Sequence, residues 1–141
     1  EVPNVHAIKE FSGDVRRVWQ IHQLAPRIEV LVGADDVLLE LGTGGVTGWI
    51  AGFTNALPRE TKMVYDLVLA GEFTQARPLY AALHDLFNWD SRKEFIQAIK
   101  ATMDFEGRYG GPTRLPRLPL PPADMSLLRS QYKKFKESFN A

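Results

Sequence analysis

Lys9 is the residue whose type and position best suit covalent chemistry. It lies near the end of the short run Val5–Glu10 (VHAIKE), which follows a Pro-Asn turn signal and reads as a β-strand. Side chains alternate along a strand, so Val5, Ala7 and Lys9 share one face and His6, Ile8 and Glu10 the other. Small Ala7 leaves space beside Lys9. A lysine in an apolar setting is poorly hydrated, which favours the free amine, and a free amine attacks a keto carbon to form an iminium. The iminium draws electrons from the neighbouring carbon, so a bond there can be made or broken. Periodicity alone favours the plainer reading of a surface lysine at a strand end.

Other residues offer chemistry less specifically. Gly33 follows the apolar run Ile28–Val32 (IEVLV) and has the place of a turn glycine. Asp35 and Asp36 come next, where carboxylates cap the start of a helix. Leu41-Gly42-Thr43-Gly44-Gly45 is glycine-rich, but a helix precedes it and a strand follows. A phosphate-binding loop needs the reverse order. His6, His22 and His84 show no metal-ligand spacing, and without cysteine there is no disulfide, thiolate metal site or cysteine nucleophile.

The elements that must position these residues alternate. After the Lys9 strand, Ser12-Gly13-Asp14 caps a helix that runs to about Leu24 and ends at Pro26. Ile28–Val32 is a second strand, apolar enough for a buried parallel sheet. A short helix over Val37–Leu41 leads to a third strand, Val46–Gly52. Four helices are predicted beyond it: from Pro58 to Gly71, over Thr74–Phe87, from a capping box at Ser91–Glu94 to near Gly107, and over Ala123–Phe139. Between Gly107 and Pro122 the prolines and glycines predict an extended loop. The order β-α-β-α-β predicts parallel strands with helical crossovers. Three such strands leave two sheet edges that something else should cover.

Composition narrows the function classes. The chain has 141 residues, 45% hydrophobic and 24% charged, which is enough for a folded domain. A formal net charge of zero gives no basic excess for nucleic acid or a membrane surface, and neither partner is expected. No apolar run approaches the ~20 residues of a membrane span. Glu1-Val2-Pro3-Asn4 has no signal-peptide character and reads like the inside of a loop.

The run Ile8-Lys9-Glu10-Phe11-Ser12-Gly13-Asp14 resembles the stretch around the Schiff-base lysine of the dihydrodipicolinate synthase / N-acetylneuraminate lyase family, with Phe11 in place of the usual Ala. Val30–Asp36 is similar to that family's seventh strand with its Gly-x-Asp turn, and Gly44–Asn55 to its eighth strand. Leu69–Arg77 and Arg114–Leu120 resemble its later A-G-(D/E)-x-x-x-A-R and R-x-P-x-x-P-L segments. These matches run in order over essentially the whole chain.

The resemblance implies an α/β fold, a (β/α)8 TIM barrel. This chain would supply strands six to eight in residues 1–56, then the last barrel helix and a helical extension in 57–141. Strands one to five would lie in a missing N-terminal half, along with a proton-shuttling Tyr and a carboxylate-binding Thr-Thr turn. Without that half the chain should be inactive. The resemblance also implies Lys9 as the covalent catalyst and Gly33 as a pocket wall that lets substrate approach the backbone. Asp35 is a candidate ligand for substrate hydroxyls. Ile50 packs beside the keto acid, with Gly48 and Gly52 leaving room next to Lys9.

The expected reaction is a lyase reaction, of aldolase or dehydratase type, on a 2-keto acid or cyclic imino acid. It needs no metal or organic cofactor and occurs in a cytoplasmic homo-oligomer, dimer or tetramer. Trp89–Phe95 (WDSRKEF) stands where synthases carry an Asn-Pro-x-Pro run. This shifts the reading toward pyrroline-4-hydroxy-2-carboxylate deaminase, with 4-hydroxy-tetrahydrodipicolinate synthase and sugar-acid aldolase as alternatives. A different class of reading is a non-catalytic, keto-acid-binding or regulatory relative. Absence of the fifth-strand Tyr from the other half would favour it.

Overall fold

The computed structural model describes residues 2–139. Strands β1 (Ala7–Glu10), β2 (Glu29–Val32) and β3 (Gly48–Trp49) form a parallel sheet in that order. Lys9 pairs with Leu31 and Leu31 with Gly48; Glu10 pairs with Val32 and Val32 with Trp49. Partners in a parallel ladder point to the same side of the sheet. Lys9, Leu31 and Gly48 therefore share one face, and Glu10, Val32 and Trp49 the other.

The helices cover only the second face. They are α1 (Arg16–Leu24), α2 (Leu38–Gly42), α3 (Pro58–Leu69), α4 (Phe73–Phe87), α5 (Phe95–Phe105) and α6 (Pro122–Phe139). Asp14 starts α1 by accepting the Arg16 N–H on Oδ1 at 3.1 Å. Gly71, at φ +75°, ends the turn after α3 in a conformation that a side chain would oppose. One buried cluster runs from Val18 through Val30, Val32, Leu57, Leu83 and Phe87 to Leu128 and Phe135. Each large side chain in it contributes roughly 1.5–3 kcal/mol of burial. The cluster crosses residue 56, so the strands and the later helices share one core.

Two expectations are corrected. The third strand, expected over Val46–Gly52, is two residues long, extended by hydrogen bonds from Thr47 N–H to Val30 O (3.0 Å) and Ile50 N–H to Val32 O (2.9 Å). It stops because Gly52 and Phe53 turn their N–H groups to the Asp35 carboxylate. The capping box at Ser91–Glu94 does not form, and α5 begins at Phe95. Ser91 Oγ instead donates to Asp36 Oδ1 at 2.8 Å.

Both outer edges of the sheet are unpaired among the described residues. Val2, Val5, Ile8, Phe11, Val15, Trp19 and Leu24, all on or beside β1 and α1, are exposed. Of the helical stripe expected to bury α1, only Val18 is fully enclosed. No helix among the described residues is long and apolar enough to cross a membrane.

Candidate active site

The uncovered face of the sheet carries Ala7, Lys9, Leu31 and Gly48, with Gly33 just past the end of β2 and Ile50 just past β3. Lys9 lies near the C-terminal end of its strand, the end at which parallel α/β sheets bind ligands. Its stem runs across Gly33. A Cβ at Gly33 would stand 2.9 Å from Lys9 Cε, 2.7 Å from Phe11 Cβ and 2.5 Å from the Glu10 carbonyl oxygen. The Lys9 ammonium lies 4.9 Å from the centroid of the Phe11 ring, within cation–π range. The missing side chain of Gly33 and the ring of Phe11 thus form a slot open to one side, in which Lys9 is exposed and not enclosed in the apolar setting expected of it.

Gly33→Ala tests the slot. A backbone oxygen cannot step aside as a side chain can, so overpacking should cost about 1–3 kcal/mol. If Lys9 forms a covalent adduct, as the family resemblance implies, that step should slow about tenfold or more in the full-length barrel. Unchanged adduct kinetics would show that the lysine does not depend on the slot.

Glu10 braces the turn after β1. It is buried, accepts the Ser12 N–H on Oε1 at 3.0 Å and lies 3.4 Å from Arg17 Nε. That holds the chain just beyond Lys9 against α1.

Asp35 is fully buried. Its Oδ1 accepts from Trp49 Nε1 (3.1 Å) and Gly52 N–H (3.1 Å), and its Oδ2 from Phe53 N–H (2.7 Å). Burial and the nearby Asp90 charge push its carboxyl up to about 7, against the pull of these three donors. Expected as a ligand for substrate hydroxyls, Asp35 is placed inside the protein with both oxygens engaged. In this geometry it ties the turn after β2 to the turn after β3. Asp36, expected only as a cap, receives Ser91 across the domain.

Ile50 is half exposed at the end of β3, on the open face. Gly52, expected beside Lys9 on that face, lies past the strand, where a side chain would meet Asp90 Oδ1 and Ile99 Cδ1. The structure therefore gathers Lys9, Gly33 and Ile50 on the open face and separates Asp35 and Gly52 from them.

Asp90 is the site residue that sequence reasoning missed. It is buried at the end of the turn after α4, and its Oδ2 accepts the Asp35 N–H at 3.1 Å. Burial, above all, pushes its carboxyl upward, and the charge of nearby Lys9 pulls it back. The one available signal was its place in Trp89–Phe95, where the resemblance breaks.

Comparison with known proteins settles the kinship. The model of the dihydrodipicolinate synthetase family matches residues 1–135. The chain belongs to this family. Among its relatives in the dihydrodipicolinate synthetase family, the 4-hydroxy-tetrahydrodipicolinate synthase of Caldicellulosiruptor bescii is 34% identical over 120 residues, covering 82% of this chain and 39% of the relative. The solved 4-hydroxy-tetrahydrodipicolinate synthase of Methylacidiphilum fumariolicum SolV superposes with a TM-score of 0.90 at 29% identity, over 97% of this chain and 46% of that one. The dihydrodipicolinate synthase of Aquifex aeolicus gives 0.85 at 30%, over 96% and 47%. These neighbours are TIM-barrel proteins, and the chain spans less than half the length of each.

Proposed function

We propose that the chain forms strands six to eight and the helical layer of a (β/α)8 barrel, and that the complete barrel is a Schiff-base lyase acting through Lys9 on a 2-keto acid or cyclic imino acid. The observation that carries this reading is Lys9 itself, near the C-terminal end of a parallel strand and slotted across Gly33 on the face the helices leave open. The open edges β1 and β3 and the apolar surface around α1 suit a partner of five more strands with their helices.

In the reaction, Lys9 Nζ attacks the keto carbon, the carbonyl oxygen leaves as water, and the iminium holds the electron pair released when a proton or carbon fragment departs from the neighbouring carbon. Gly33 and Phe11 orient the amine. Ile50 offers an apolar wall to the substrate. Water then hydrolyses the iminium and restores the amine. The family membership and the open apolar edge also suit a homo-oligomer.

The substitution of Trp89–Phe95 for the synthases' Asn-Pro-x-Pro favours a second reading within the same chemistry. There the substrate is pyrroline-4-hydroxy-2-carboxylate and the barrel dehydrates and deaminates it. The buried Asp90 in that segment supports a mouth built for a different substrate.

Borohydride trapping tests the chemistry. The full-length protein is incubated with pyruvate, reduced and digested, and the Lys9 peptide is weighed. A reduced pyruvoyl adduct on Lys9 is the expected result. An unmodified Lys9 in a complete barrel would replace this reading with the non-catalytic, keto-acid-binding one.

A further inference from the structure

A cavity of about 240 Å³ opens beside the lysine slot, between the turn after β1, the turn after β2 and the loop joining α4 to α5. Phe11, Ser12, Ala34, Asp90, Ser91 and Arg92 line it. Phe11 also carries the Lys9 ammonium, so cavity and slot share a wall. We propose that Asp90 and Arg92 form a specificity-determining subsite for the distal, hydroxyl-bearing end of the substrate. This rests on the Lys9 reading and extends it to the far end of the same molecule.

The chemistry of the walls selects the ligand class. Asp90 Oδ2 is held by the Asp35 N–H at 3.1 Å, while Oδ1 accepts no hydrogen bond among the described residues. Asp90 is 4% exposed, and it lines the cavity. A carboxylate oxygen to which no protein group donates is free to accept a hydrogen bond from a ligand. The Arg92 guanidinium stacks 4.4 Å from the Trp89 ring, which steadies a donor in the same loop as Asp90.

An acceptor and a donor among the residues that line a small cavity suit a hydroxyl, which both donates and accepts. A second carboxylate would meet repulsion from Asp90, and an alkyl end would leave Asp90 unpaired. Asp35 supports this subsite indirectly. It is a positioning residue, because its backbone N–H sets the orientation of Asp90.

The test uses the full-length protein and three probes besides pyruvate: a six-carbon 2-keto-3-deoxy sugar acid, 2-ketohexanoate and 2-ketoglutarate. Half-saturating concentrations are read from borohydride-trapped Lys9 adducts in the wild type, Asp90→Asn and Arg92→Met. In the wild type the hydroxylated acid should saturate at lower concentration than the alkyl acid or the diacid. In Asp90→Asn the ratio of the hydroxylated acid's half-saturation to that of pyruvate should rise about 10- to 100-fold, the size of a hydrogen bond to a charged group. Arg92→Met, whose side chain lies outside the core, should raise the same ratio and guards against misfolding of the Asp90 variant.

Equal ratios in all three proteins, or wild-type preference for the alkyl acid or the diacid, would overturn the subsite while pyruvate adducts kept the Lys9 reading intact. Absence of any adduct on wild-type Lys9 would overturn both.

Discussion

Methionine in place of Lys9 should leave the full-length barrel folded and without turnover. Methionine is unbranched and close to lysine in girth, so it can lie across Gly33 where the lysine stem lies. It offers no amine. If the reaction passes through an iminium at this atom, kcat should drop by at least about 10³-fold, as for loss of other covalent nucleophiles, and no keto acid should be trapped on reduction. Arginine should not rescue, because its guanidinium stays protonated and cannot attack. Turnover within tenfold of wild type in Lys9→Met, measured on the same keto acid, would remove Lys9 from the chemistry.

Asp35→Ala is the stability counterpart. Three donors, Trp49 Nε1, Gly52 N–H and Phe53 N–H, converge on this carboxylate inside the protein. Alanine strands all three, and each buried unsatisfied donor costs about 1–3 kcal/mol. Allowing for water at some of them, the loss should be about 3–5 kcal/mol, or roughly 10 °C in melting temperature for a barrel of this family.

The effect should also depend on pH. Folding raises the Asp35 carboxyl from its ordinary value of 3.8 to about 7, so the folded state holds this proton more tightly than the unfolded chain. The corresponding stability is fully present below about pH 4 and is lost as pH rises through about 7. The gap between wild type and Asp35→Ala should therefore narrow from pH 5 to pH 8 in paired thermal melts. A small loss that does not change with pH would mean that water satisfies the donors and that Asp35 is not the tie between the two turns.

What could be read from the sequence follows from the range of the forces involved. The Lys9 strand and the apolar second strand declare themselves through local pattern, and the run Ile8–Asp14 carries the family resemblance in consecutive residues. The four later helices also appear close to their expected limits, because their stripes and stop signals are local. The end of the third strand was not legible. Gly52 continues a strand-like pattern, yet its N–H is drawn off by a carboxylate 17 positions earlier in the chain. Ser91 has a capping pattern, but its hydroxyl goes to Asp36, 55 positions away. Asp90 was hidden for the same reason, since its partner is the backbone of Asp35, also 55 positions distant. The apolar stripe of α1 misled in another way: Trp19 and Leu24 keep the helical spacing but find nothing to pack against among the described residues.

The slot at Gly33 has an entropic consequence. A free lysine side chain samples many rotamers, and fixing it costs up to about 1.5–2 kcal/mol. Lys9 is exposed, but contact of its Cε with the Gly33 backbone and of its ammonium with the Phe11 ring removes part of that disorder when the chain folds, which under the proposed reaction is before a keto acid arrives. Attack then starts from a narrow distribution of amine positions, and less ordering is left to the encounter itself. The atom responsible is the methyl group that Gly33 lacks: by leaving room for one stem orientation, its absence shortens the search that the nucleophile must make.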